Sequence, residues 1–243
     1  VDESTALSPP ELLELINSER YGVEYQPLVN VNDGDCFGYE ALARFYDRKG
    51  NALPPLLIFR LLHESPLMLA QVEFQLKCIQ LQNRPDNRPL FINIDPDAYL
   101  GFGDNLEQNP MLHLMRDDEN LVIELIENTS VSDAEVSQQL ASLFRRHGLQ
   151  LALDDVGAPV SMVSFAVMQT VDFLKFDRSW LSHARERDSR VLLQSLIRYA
   201  RDTDKQTVLE GIENAEDFEF ARSMGFDLVQ GFRYRERFIN HFC

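Results

Sequence analysis

Short apolar runs alternate along the chain with stretches of helical spacing. Ser8-Pro9-Pro10-Glu11 announces a helix, with a Ser cap, Pro in the first turn and an early acid, and Leu12, Leu13, Leu15 and Ile16 supply its apolar face. Val23 to Val29 is a β-rich run, Asn32-Asp33-Gly34-Asp35 is a turn signal, and Phe37 to Phe45 follows at once, so the two runs read as a hairpin. In the second strand, period-two alternation puts Glu40, Leu42 and Arg44 on one face and Tyr39, Ala41, Ala43 and Phe45 on the other. Beyond the Pro54-Pro55 breaker, Leu56 to Leu62 and Leu67 to Leu81 carry helical spacing.

From there the rhythm is strand then helix. Strand-like runs fall at 90–94, 121–125, 149–155, 171–176, 207–210 and 228–230, and helical stretches separate them, notably 133–147, 189–202 and 215–224. With the hairpin this makes about eight strands, which predicts an α/β fold of the (β/α)8 barrel type, TIM-like, with a doubly wound open sheet as the alternative. The opening hairpin would make one barrel strand antiparallel. Residues 1–7 read as a tail and 8–243 as one domain.

The strands also deliver polar residues at or near their ends: Glu40, Asn93, Glu124, Asp154, Asp155, Lys175, Glu210 and Gln230. In a barrel these ends converge on one rim, where catalytic groups are placed. Acids at such density cannot all stay ionised without cations, and oxygen ligands without His or Cys favour Mg²⁺ or Mn²⁺ over zinc. A pair of such ions about 3.5 to 4 Å apart activates a water and stabilises both oxygens of an in-line displacement at phosphorus, so phosphodiester hydrolysis is the first chemistry to consider. Lys175 would add positive charge beside the nucleophile or the phosphate, and Gln230 would orient a water. Each residue has a plainer reading too. Asp154-Asp155 fits a solvated turn, Lys175 a snorkelling surface lysine, Asn93 a turn before Pro96, and Glu210 a strand-end acid. Glu124 resists such a reading, because apolar residues flank it on both sides.

Composition narrows the partners. The 243 residues are 44% hydrophobic, enough for a sizeable core, and the net charge of -16 argues against a binder of polymeric nucleic acid. A small phosphorylated ligand remains compatible, since bound cations invert the local field. Cys36, Cys78 and Cys243 are odd in number and lack CxxC spacing, which predicts a reducing, cytoplasmic setting. No apolar stretch approaches bilayer length. Because Val1 is not Met, the expectation is a fragment or processed chain, with an upstream sensor possible. His63, His113, His147, His183 and His241 lack metal spacing and read as structural or surface residues.

The motifs in order resemble the EAL domain family of bacterial cyclic di-GMP phosphodiesterases, from about Tyr21 to Gly231. Glu40-Ala41-Leu42 spells the family's name and extends to Ala43-Arg44. Tyr25-Gln26-Pro27 is similar to the first-strand motif, and Asn93 falls in a match to "NxS" with Asp95 in place of serine. Glu124 to Glu127 is similar to "ExTE", Asp154 to Gly157 to "DDFG", Lys175 to Asp177 to "KID", Glu210 to Glu213 to "EGVE", and Gln230 to Phe232 to "QGY".

The resemblance implies a TIM-like barrel with an antiparallel first strand and hydrolysis of cyclic di-GMP to linear pGpG with two Mg²⁺ or Mn²⁺ ions, Ca²⁺ being inhibitory. It implies that Glu40, Asn93, Glu124 and Asp154 hold one ion, that Asp154 bridges to a second held with Asp155, and that Glu210 assists there. Lys175 and Gln230 would contact the attacking water, Lys175 handling the proton. Gln26, Leu42 and Arg44 would line the substrate site. A homodimer and an upstream sensor or GGDEF-type domain are further expectations. One loop departs: the family reads approximately "FGTGYSSL" where this chain has Val156 to Val163, with Pro159 removing a donor. In the family that loop supports metal binding and the dimer contact, and Glu127 helps anchor it. The alternative reading is therefore a catalytically weak or inactive relative acting as a nucleotide receptor or protein-interaction module.

Overall fold

The computed structural model describes residues 7–103, 105–125, 131–159 and 164–242. Its frame is a closed barrel of eight strands: β1 (Tyr21–Asn30), β2 (Cys36–Tyr46), β4 (Leu90–Asn93), β5 (Leu121–Leu125), β6 (Gln150–Val156), β7 (Phe173–Phe176), β8 (Gln206–Leu209) and β9 (Leu228–Val229). β2 and then β4 through β9 pair in parallel around the barrel, and β1 closes it antiparallel to both β2 and β9. The hairpin of the sequence reading is thus where the barrel departs from the regular pattern. Two short strands lie outside the ring. β3 (Ala52–Leu53) extends β2, and β10 (Ile239–Phe242) pairs with the first half of β1.

The helices α1 (Pro9–Asn17), α2 (Pro55–Leu62), α3 (Pro66–Gln82), α6 (Val131–Arg146), α9 (Arg187–Asp202) and α10 (Ala215–Met224) fall where periodicity places them. α1 starts as Ser8 predicts, its backbone N and Oγ both donating to the Glu11 carboxylate, at 2.8 and 2.6 Å. Asn214 caps α10 by accepting from the amides of Glu216 and Asp217. Four short helices were not expected: α4 (Pro96–Leu100), α5 (Pro110–Met115), α7 (Phe165–Thr170) and α8 (Trp180–His183). Each is too short to show a helical period, and so was β10, whose residues are mostly exposed and show no alternation. Leu7, assigned to the tail, packs half-buried against the core.

Two layers inside the barrel set the site. Leu28, Phe91, Val122, Ala152, Phe173, Val208 and Leu228 meet on the axis as an apolar plug, with Phe37 packed on it and the Phe91 and Phe173 rings 5.0 Å apart edge to face. One pleat further along each strand the inward residue is polar: Asn93, Glu124, Asp154, Lys175, Glu210 and Gln230 stand two residues after their plug partners. β1 runs the other way, so its inward polar residue, Gln26, precedes Leu28 by two and sits opposite Glu40 of β2. The outer face of the sheet is covered by helices through the main core.

α3 meets the barrel through a buried polar ladder. Lys77 and Glu73 pair at 2.7 Å with almost no exposure, and Gln80 donates to the Ala41 carbonyl at 2.9 Å, between Glu40 and Leu42. Because a buried charge without its partner costs far more than the pair contributes, Lys77→Met is expected to lose about 3 to 5 kcal/mol in denaturant unfolding. Glu73→Leu combined with Lys77→Met should return to within about 1 kcal/mol of the parent or exceed it.

Candidate active site

The polar layer gathers around one ammonium. Lys175, fully buried on β7, places its Nζ 2.6 Å from Glu124, 2.9 Å from Glu210, 3.0 Å from Asp154 and 3.3 Å from Glu40. Gln230 donates to Glu40 Oε2 at 2.6 Å and Asn93 to Glu40 Oε1 at 3.1 Å. Seven of the eight strand-end residues singled out from the sequence therefore meet at the C-terminal rim.

Asp155 follows an irregularity that the sequence did not announce. The β6–β7 register shifts between Leu153 and Val156, and Asp155 adopts φ +56°, left-handed for a residue with a side chain. A regular strand would send adjacent aspartates to opposite faces. Here the bulge lets Asp155 join Asp154 and Glu210 in a group whose ligand oxygens all lie within 4.8 Å of one another.

Electrostatics separates the acids. Burial pushes Glu40 up, but Lys175 and the hydrogen bonds from Gln230 and Asn93 outweigh it and hold the carboxyl below its ordinary range. Glu124, buried with Glu40 beside it, is pushed well above the ordinary value despite Lys175. Burial and the charge of Asp154 raise Asp155 to about 6, and burial raises Glu210 to about 8. Burial alone would depress Lys175, yet the surrounding carboxylates, Asp154 and Glu124 foremost, raise it well above the ordinary lysine value.

The donor set fits divalent cations. Glu40, Glu124 and Asp154 form one compact group of carboxylate oxygens, Asp154, Asp155 and Glu210 form a second, and Asp154 belongs to both. Both Glu124 oxygens and Asp154 Oδ1 are buried with no aligned hydrogen-bond donor. Among the described residues five carboxyl groups gather about a single ammonium, a donor set that hard cations with oxygen ligands would suit.

A cavity of about 260 Å³ opens above these groups, lined by Gln26, Glu40, Leu42, Asp154, Glu210 and Gln230 on its floor and by Arg178, Glu213 and Phe232 on its wall. Gln26 and Leu42 are thus part of the lining of this cavity. Arg44 does not line this cavity. It forms an ion pair with Glu24 on β1, beside a second cavity of about 360 Å³ that also touches Asn93 and His63. Arg178, to which the sequence assigns no role, pairs with Glu213, the last residue of the EGVE-like motif, at 3.0 Å. A signal was available, since Arg178 follows the end of β7 and lies on the same rim as Lys175.

His63 lies at the surface as expected, joined to Asp95 at 2.9 Å and Asp97 at 3.3 Å. Asp95, standing in the serine position of the motif, caps α4 by accepting from the amides of Asp97 and Ala98, a task a serine also performs. Glu127 and the 160–163 part of the altered loop lie outside the described residues.

Known proteins show the same frame. The chain is 27% identical over 245 residues to the probable cyclic di-GMP phosphodiesterase PdeG of Escherichia coli (strain K12), covering 93% of this chain and 46% of that protein. It is 25% identical over 234 residues to the cyclic di-GMP phosphodiesterase PdeL of the same organism, covering 93% and 65%. The chain thus spans about half the length of these relatives. Among solved structures, the Bacillus subtilis YkuI protein, with an EAL domain and in complex with c-di-GMP and calcium, matches with a TM-score of 0.78 at 21% identity, covering 94% of this chain and 58% of that one. The PaMucR phosphodiesterase in its c-di-GMP complex matches with a TM-score of 0.70 at 22% identity, covering 92% and 94%. With the EAL domain model matching residues 10–236, almost the whole barrel, the chain belongs to the EAL domain family.

Proposed function

We propose that this chain hydrolyses one phosphodiester bond of cyclic di-GMP, giving linear pGpG, with two divalent cations, Mg²⁺ or Mn²⁺. The observation that carries the reading is the pair of carboxylate groups sharing Asp154 on the floor of one cavity, with Lys175 between them. Glu40, Asn93, Glu124 and Asp154 would hold one cation, and Asp154, Asp155 and Glu210 the other. Two such ions supply a nucleophile at neutral pH and charge stabilisation at phosphorus.

The remaining work falls to the chain's own side chains. Gln230 and Asn93 fix the two oxygens of Glu40 from opposite sides, which orients that carboxylate before any ligand arrives. Lys175 is held charged by the acids around it, and neutralising those acids with cations leaves burial dominant, which favours release of its proton. Lys175 is thereby suited to proton handling at the attacking water. Gln26 and Leu42 line the cavity, and Arg178 offers a guanidinium to an anionic ligand on its wall. Arg44, paired to Glu24, would reach a ligand extending into the neighbouring cavity.

Support for the substrate comes from the relatives PdeG and PdeL, whose names state this activity, and from c-di-GMP bound in the YkuI and PaMucR structures. We extend the reading to a cytoplasmic module of a longer, regulated protein that acts as a homodimer, with Ca²⁺ supporting binding but not turnover.

A receptor without turnover is the second reading, favoured by Val156 to Pro159, where the family loop is replaced, and by an ammonium that already satisfies much of the acid cluster without added cations. One experiment separates the two. Purified protein with Mg²⁺ or Mn²⁺ should convert cyclic di-GMP to pGpG, and Glu40→Ala should lower the rate by about a hundredfold or more. Calorimetric binding without any product, at one ligand per chain, would favour the receptor instead. Light scattering with ligand and metal present should give twice the chain mass, and a monomer mass would overturn the dimer.

The raised carboxyls make a separate prediction. Asp155 moves from an ordinary 3.8 to about 6 and Glu210 from 4.5 to about 8, so between those values the folded chain binds more protons than the unfolded one. Their contribution to stability is full below about pH 4 and is lost as pH rises through 6 and 8. The Tm of the metal-free protein is therefore expected to fall between pH 6 and pH 8, and millimolar Mg²⁺ should restore it most strongly at pH 8. A Tm that is flat in pH and indifferent to Mg²⁺ would contradict the acid-pair geometry.

A further inference from the structure

Resting on the reading that Asp154 and Asp155 hold divalent cations, we propose that Trp180 is a positioning residue for that pair, clamping the backbone that follows it. Trp180 is the chain's one tryptophan and is buried, and its Nε1 donates to the Val156 carbonyl at 2.8 Å. That carbonyl needs the bond. Its neighbour in the ladder, the Asp177 amide, stands 3.4 Å away, where the β6–β7 register has already slipped.

The indole also shapes the next residue. Gly157 has φ +83°, and a Cβ there would lie 2.4 Å from Trp180 Nε1 and 2.6 Å from Cε2 and Cζ2, so the ring lies directly against the backbone. The segment from Asp155 to Gly157 is thus held on one side by a turn, Ala158 N donating to Asp155 O at 2.9 Å, and on the other by the indole. Asp155 keeps its left-handed φ, and with it the inward course of its carboxylate, only while this short segment stays in place.

Trp180 is itself anchored to the strand that carries Lys175. It opens α8, its amide donates to Asp177 O at 3.2 Å, and Asp177 Oδ1 accepts from Ser179 N at 2.9 Å, which fixes the β7–α8 connection. The residue therefore ties the lysine strand to the aspartate strand from behind the site without touching the cavity, whose lining does not include it. This support begins at Val156, the first position at which the loop departs from the family pattern.

The test uses the whole chain and Mn²⁺ alone, with binding read by calorimetry and by electron paramagnetic resonance. Trp180→Phe keeps a ring but loses the N–H, and it should weaken Mn²⁺ binding about tenfold; Trp180→Leu should weaken it about a hundredfold. Far-UV circular dichroism should be unchanged in Trp180→Phe. A second readout needs no variant: saturating Mg²⁺ should shift the emission of the single tryptophan, with the same midpoint as the calorimetric titration. Parent protein that binds Mn²⁺ while a folded Trp180→Phe binds it equally tightly would overturn the positioning role alone. Emission that stays fixed while calorimetry shows saturation would also overturn it. No Mn²⁺ binding by the parent would overturn the cation reading and the positioning role together.

Discussion

Everything at this site depends on one ammonium buried among carboxylates. Burial alone would strip Lys175 of its proton, and the carboxylates around it hold that proton on; Glu124, buried beside Glu40, keeps a raised carboxyl even with the ammonium 2.6 Å away. The balance is not even. Among the described residues four acids lie within 3.3 Å of the ammonium and a fifth, Asp155, completes the group, so acidic groups outnumber the ammonium, and burial with mutual repulsion raises Glu124, Asp155 and Glu210. Burial supplies the strain and the barrel supplies the rigidity that keeps it from relaxing.

That rigidity traces to a single pleat. The plug from Leu28 to Leu228 excludes water from the lower barrel, and the next inward position on each strand is where the polar groups stand. Dry walls below and a cavity above give each charge a low-dielectric side and an open side, the condition under which small differences in neighbours separate carboxyl behaviour. Glu40, with Lys175 and two amide donors to favour its charge, stays below the ordinary range, while Glu124, more deeply buried and facing the Glu40 charge, goes well above it. The antiparallel β1 adds an extra feature. Because it runs downward, its first half rises above the rim with β2 and β10, bringing Glu24, Arg44 and Leu42 over the edge of the site.

Much of this was legible in the residues. The strand-then-helix rhythm predicted the barrel, the hairpin signal at Asn32 to Asp35 predicted its antiparallel strand, and the acids at strand ends predicted a rim crowded with carboxylates, all of which follow from local period and chain order. The long helices were equally plain because they show several turns of one period. α4, α5, α7 and α8 were not, since one or two turns cannot establish a period, and β10 was not, since an exposed edge strand has no buried face to imprint on its sequence.

Which residues come to the rim was readable in the sequence itself, because Glu40, Asn93, Glu124, Asp154, Lys175, Glu210 and Gln230 stand at or near the ends of successive strand-like runs. What only tertiary structure decided is how they meet. Asp155 enters because a bulge breaks alternation, Arg44 turns aside because Glu24 stands across the hairpin, and Arg178 and Glu213 line the wall because the chain ends of two strands converge. Those outcomes depend on distances between residues far apart in the chain, and period along a strand carries no information about them.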